Sequence, residues 1–170
     1  MTQPRDTLVL NLLQQNWNPA NTFGLTPDIS YGWYDESAGQ PQLTIGSEDE
    51  TPGPESGPTG YDTMTPLGEP PNQSFTGTID IHCWGRNEDL SGASTGYAQQ
   101  YFQGDGDNLG AREELRRIIR ENGRAPVDPV TGNRPVNLIG PLGGREVPED
   151  DPGSRVIHYI EQIGYGYRTQ

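Results

Sequence analysis

Two histidines and one cysteine in 170 residues leave few ways to build a reactive centre. The first candidate is Gly92-Ala93-Ser94-Thr95-Gly96, which has the G-x-S-x-G spacing of a nucleophile elbow. In that device a serine at a sharp strand-to-helix turn is activated by a histidine that an acid orients. Acids and His158 follow Ser94 in the required order. The elbow needs a strand running straight into the turn and a helix leaving it. Here the preceding strand pattern ends near Arg86 and no firm helix begins at Thr95. A stretch this rich in Gly and Ser also matches such spacing by chance. A serine hydrolase using Ser94 therefore stands only as a distant alternative.

Asp80 and His82 lie two apart on one face of an alternating segment, where His158 from the last strand could join them. A metal would need a third ligand in fixed geometry, and none is indicated. Polar residues on the wetter face of a sheet explain them as well. Asp105, Asp107 and Asn108 sit in a Gly-rich loop that lacks the spacing and distal Glu of an EF-hand. As a phosphate cradle its acids would repel the ligand, so a capped helix entry is the simpler reading. Cys83 alone excludes an internal disulfide framework and a cysteine-based zinc finger. The sequence thus assigns no catalytic, cofactor-binding or metal residue and no cofactor. It reads as a protein that is not an enzyme.

Charge says more than any motif. Twenty-four acids face eleven bases, for a net charge of −13, and all eleven bases are Arg. Such a chain repels itself in dilute buffer. At about 1 M salt the screening length falls to roughly 3 Å and the repulsion largely vanishes. Carboxylates keep a surface hydrated in brine, and Arg pairs with them bidentately where Lys is a hydrated point charge. Heat adaptation would enrich Lys together with Glu. The composition thus points to a protein adapted to molar salt. The bland alternative is an acidic protein that lacks Lys by chance.

Hydrophobic residues make up 30% of the chain, beside 23 Gly and 16 Pro. That supply suits one domain over 1–170 with long loops, and a monomer so poor in apolar side chains favours oligomerisation. No run of 18 apolar residues and no basic-then-apolar leader occurs, so neither a membrane span nor a secretory signal is expected. The Arg cluster near 112–120 is interleaved with Glu, which disfavours specific nucleic-acid binding.

The elements that must position these residues follow from periodicity. Residues 7–17 predict a helix with Leu8, Val9, Leu12, Leu13 and Trp17 on one face, Asn11, Gln14 and Gln15 opposite, and Asp6 as cap. Segments 28–35 and 42–47 predict two strands joined by turn chemistry, an antiparallel pair. Residues 48–74 form a long acidic, Pro-rich loop. Segment 75–86 alternates cleanly, with Phe75, Gly77, Ile79, Ile81 and Cys83 on one side. Residues 87–106 are a loop insertion with a possible short helix around 97–103. A helix over 107–122, capped by Asp107 or Asn108, turns Ala111, Leu115, Ile118 and Ile119 inward. Residues 136–142 predict a short strand and 146–154 a second acidic loop. A final strand over 155–168 has mixed parity near Glu161-Gln162, expected from a bulge or from burial on both faces. The class is α+β, with a mainly antiparallel or mixed sheet of four to five strands and two helices on one face.

This order resembles the tail-terminator (minor tail protein U-like) family of long-tailed, siphovirus-type viruses. The resemblance rests on the opening helix 7–17, the strand pair 30–34 and 42–47, the strand 78–86, the helix 111–121 and the terminal strand 155–168. Within 78–86, Ile79, Ile81 and Trp84 match the family's hydrophobic-x-hydrophobic-x-x-Trp pattern ahead of a long helix. The loop 48–74 and the insertion 87–106 depart from it. The resemblance implies a structural virion protein that forms a homohexameric ring. Such a ring caps the tail tube, stops its polymerisation and joins the tail to the head connector. Its partners would be copies of itself, the tail tube protein and a head-tail connector or stopper. It would be assembled in the host cytoplasm and reside in the virion neck, with genome DNA passing through its lumen. Combined with the composition, the host would be a halophile and the virus a haloarchaeal one. A head-closure stopper or another neck protein is the nearest alternative.

Overall fold

In a computed structural model the residues described are 4–38, 41–52, 74–86, 98–148 and 156–168. The chain opens with helix α1 (Arg5–Asn16), followed by a single 3₁₀ turn and strands β1 (Asp28–Tyr31), β2 (Gln42–Pro52) and β3 (Ser74–Arg86). Helices α2 (Ala98–Gln103) and α3 (Ala111–Glu121) come next, then strands β4 (Leu138–Val147) and β5 (Val156–Arg168). The strands form one open mixed sheet in the order β1-β2-β3-β5-β4. The fold is α+β, as the sequence indicates. Segments 53–73 and 87–97, which hold the long acidic loop and Ser94, lie outside the described residues.

Alternation in β3 creates the two faces. Ile79, Ile81 and Cys83 are fully buried and meet Leu43 and Ile45 of β2 and Tyr159, Ile163 and Tyr165 of β5. The three helices cover this face. Leu8, Val9, Leu12 and Leu13 of α1 are at most 1% exposed, and each such burial contributes about 2 kcal/mol. Ala111, Leu115, Ile118 and Ile119 of α3 are wholly buried, as their spacing requires.

Several expectations are corrected by long-range partners. Asn11, expected on the polar face of α1, is buried and donates to both carboxylate oxygens of Asp128 at 3.0 and 2.9 Å. Asp6 does not cap α1; its carboxylate accepts from the backbone N–H of Thr7 inside the first turn. The second long helix starts at Ala111, not 107, after Gly110, whose φ of 82° suits a residue without a side chain. Asp105, rather than Asp107 or Asn108, organises the turn before it, accepting from the backbone N–H groups of Asp107 and Asn108.

The pair β1–β2 is parallel, not antiparallel, with Asp28 beside Gln42 and Tyr31 beside Ile45. Of the connection between them, Trp33 and Tyr34 lie against His82, Trp84 and His158 on the sheet face that carries no helix. β2 also continues to Pro52, into the expected acidic loop, because a bulge after Ile45 re-aims Glu48 and Glu50. There they accept hydrogen bonds from Tyr165 and Tyr167. β5 pairs with β3 without interruption from Val156 to Arg168. Of the two readings of its mixed parity, burial on both faces holds, as at His158 and Tyr159, and the bulge lies instead in its neighbour, between Pro141 and Gly143 of β4.

Candidate functional site

The sheet face away from the helices gathers most of the remaining chemistry. β3 presents Asp80, His82 and Trp84 to it, and β5 presents His158, Ile160 and Gln162 opposite. His82 Nδ1 and His158 Nε2 share a hydrogen bond of 2.8 Å, one imidazole donating to the other. Both rings are buried, at 8% and 4% exposure. Trp84 stacks on His158 with centroids 3.6 Å apart and donates from Nε1 to the hydroxyl of Thr44 at 3.0 Å.

The crossover between β1 and β2 supplies the cover. Trp33 stands 4.8 Å from His82, 4.9 Å from Trp84 and 5.9 Å from His158 by ring centroid. It remains 64% exposed, so one side of the indole roofs the pair while the other faces outward. Tyr34 flanks Trp84 at 5.4 Å. Burial lowers the affinity of both imidazoles for a proton. For His158 the neighbouring His82 and the Arg145 guanidinium add to burial and bring the value down to about 4. At neutral pH the pair is therefore uncharged.

Of the three residues expected to converge here, the structure brings two together. Asp80 instead accepts a hydrogen bond from Gln162 Nε2 at 3.1 Å. No group of three or more His, Cys, Asp or Glu side chains able to hold a metal occurs among the described residues. Cys83 points into the core, where burial pushes its thiol up and keeps it protonated. The Ser94 motif lies outside the described residues.

Below the histidines the same face forms an open groove of about 490 Å³. Thr76, Thr78, Gly164, Leu138, Pro141 and Leu142 line it. Leu138 and Leu142 are 55% and 60% exposed, which marks an apolar surface rather than a reactive pocket. Both leucines fall in the strand expected over 136–142, but their outward direction depends on a register that the sequence does not show. Trp33 was missed because its segment read as the end of a strand.

On the helix side the chemistry is structural. Glu161 of β5 is 1% exposed and accepts from Arg112 and twice from Arg116 of α3, the latter both at 2.9 Å. Glu114, also fully buried, accepts from Arg117, the Asn21 side chain and the backbone N–H of Asn18. Burial alone would raise its carboxyl, but Arg117 and these donors hold it below the usual carboxylate range. The interleaved Arg and Glu of α3 thus form in part an internal clamp.

No family model matches the chain, and no curated protein matches it either.

Proposed function

We propose that this chain is a structural, ring-forming subunit of a virus particle rather than an enzyme: the tail terminator of a long-tailed virus of a halophilic host. The observation that carries the reading is the uncovered sheet face. Trp33, Leu138 and Leu142 stand exposed there on a chain poor in apolar residues, so unsatisfied apolar surface is left for contacts between molecules. The order of elements supports it as well, because the helix α1, the strand β3 with Trp84, the helix α3 and the long β5 follow the order on which the resemblance to tail terminators rests. In this reading the subunit makes a homohexameric ring at the head-tail junction of the virion. It stops growth of the tail tube and offers a docking face to the connector or stopper. Net acidity lets genome DNA pass the lumen without adhering, since attraction to phosphate requires basic groups on the lining.

Mass measurement and negative-stain microscopy in about 2–3 M salt, where self-repulsion is screened, test the ring. A closed ring that arrests polymerisation of the tail tube protein is expected. A ring that leaves tube growth unchanged but seals the head connector would instead assign the stopper role. A stable monomer in brine would overturn the reading, and so would turnover of an acyl ester abolished by Ser94→Ala.

A further inference from the structure

The two margins of the sheet differ in charge. Five Arg residues, namely Arg5, Arg112, Arg116, Arg117 and Arg120, pair with acids inside the chain. Arg124, Arg134 and Arg145 are exposed and make no ion pair among the described residues. Arg124 and Arg145 lie at the β4 margin, Arg145 within the strand and Arg124 bridged to Leu138 on its outer side, while the neighbouring Glu146 pairs with Tyr159 and belongs to the helix-covered face. In a chain of net charge −13, bases without acid partners are unexpected, because acids are available almost everywhere. The opposite margin holds the complement. Asp28 of β1 is exposed there; its register partner Gln42 in β2 holds the Asp35 backbone through its side chain, and the exposed Asp35 and Glu36 follow one another in the connection from β1 to β2. None of these three acids pairs with a base among the described residues.

Backbone geometry selects the same two margins. Pro141 and the irregularity at Leu142 block pairing along the middle of β4, and Ile139 already donates to the Gly123 carbonyl at 3.0 Å. What stays open is 144–147, a stretch of the same length as the four-residue β1. Following the pairings across the sheet, β1 runs antiparallel to β4. A neighbour related by rotation about a ring axis therefore offers its β1 antiparallel to the open part of β4. Register places Asp28 and Arg145 on the same face of the sheet, the one without helices.

We propose that the β4 margin of one copy docks on the β1 margin of the next, with Arg124 and Arg145 facing Asp28, Asp35 and Glu36. This rests on the ring reading, for which a head-to-tail contact is the kind that closes a ring. In brine only contact ion pairs survive screening, so these charges set register. Affinity comes from covering Leu142 on one side and Tyr31 on the other, 60% and 47% exposed in the single chain.

The test is a charge exchange at the lowest salt that preserves the wild-type ring. One variant carries Arg124→Glu and Arg145→Glu; the other carries Asp28→Arg and Glu36→Arg. Each alone should be monomeric, because like charges then face each other at every contact. Mixed in equal amounts they should alternate and restore a particle of wild-type mass, which also shows that both fold. Assembly of either variant alone, or no recovery on mixing, would overturn the proposal. A first variant that fails beside a second that assembles would indicate a β4-to-β4 contact and overturn it too. As a charge-free measure, Arg145→Cys combined with Ser30→Cys, set opposite each other when 28–31 pairs antiparallel with 144–147, should give a covalent ladder under oxidation; a single monomer band would count against the contact. A monomeric wild-type control would remove the ring reading itself, whereas an assembled wild type with unaffected variants removes only this interface.

Discussion

His82 and His158 hold each other's nitrogen beneath Trp33, and that arrangement has a pH signature. His158 in the unfolded chain takes up its proton near the ordinary 6.5, while in the fold it does so at about 4. Between those values the unfolded state binds more protons, so stability is full above about 6.5 and declines as the pH falls towards about 4. Thermal midpoints measured across that window should fall with acidity in the wild type and fall less steeply in His158→Gln. Equal slopes would mean that the pair is not neutral in the fold. Glu161 gives a second measurable case, because it sits at 1% exposure with two guanidiniums on it. Glu161→Ala strips their partner and should cost about 3 kcal/mol in denaturant unfolding at fixed salt. Gly77 gives a third. The Tyr165 ring lies directly over it on the way to Glu48 and Glu50, leaving no room for a methyl group. Gly77→Ala should destabilise by about 1–3 kcal/mol, read in the same titration. It should also raise the solvent exposure of Tyr165, seen as a shift in its near-ultraviolet signal.

Where the elements lie was legible in the sequence when their partners were generic, and illegible when they were particular. β3 could be read because helices cover one of its faces uniformly and its residues alternate to match. α3 could be read from Ala111, Leu115, Ile118 and Ile119, whose spacing needs only some apolar surface opposite. β2 beyond Ser47 could not, since Glu48-Asp49-Glu50 reads as loop; the Glu48 and Glu50 carboxylates serve Tyr165, Tyr167 and Arg5, which lie more than forty residues away in the chain. The relation of β1 to β2 could not either. Segments 28–35 and 42–47 with turn chemistry between them read as a hairpin, and only the presence of Trp84, His82 and His158 makes it worthwhile to lay Trp33 across the sheet. The candidate site divides the same way. The shared face of Asp80 and His82 was visible in their spacing, and so was a meeting with His158. Asp80's preference for Gln162 and the roof formed by Trp33 depend on register, which a single sequence does not display.

Taken as one body, the molecule is governed by its net charge of −13. Adding potassium chloride from about 0.1 M to about 2 M shrinks the screening length severalfold. The thermal midpoint should rise across that range, as followed by circular dichroism; a flat profile would refute adaptation to brine. The strand order carries one more consequence. β5 lies between β3 and β4 although it is synthesised after both. Until Val156–Arg168 leave the ribosome, the nascent chain has a slot in the middle of its sheet, and β4 lacks its ladder partner. The sheet can therefore be completed only after β5 has been synthesised. Stalled chains ending before Val156 should be digested readily by protease, while chains that include Arg168 and have cleared the exit tunnel should resist.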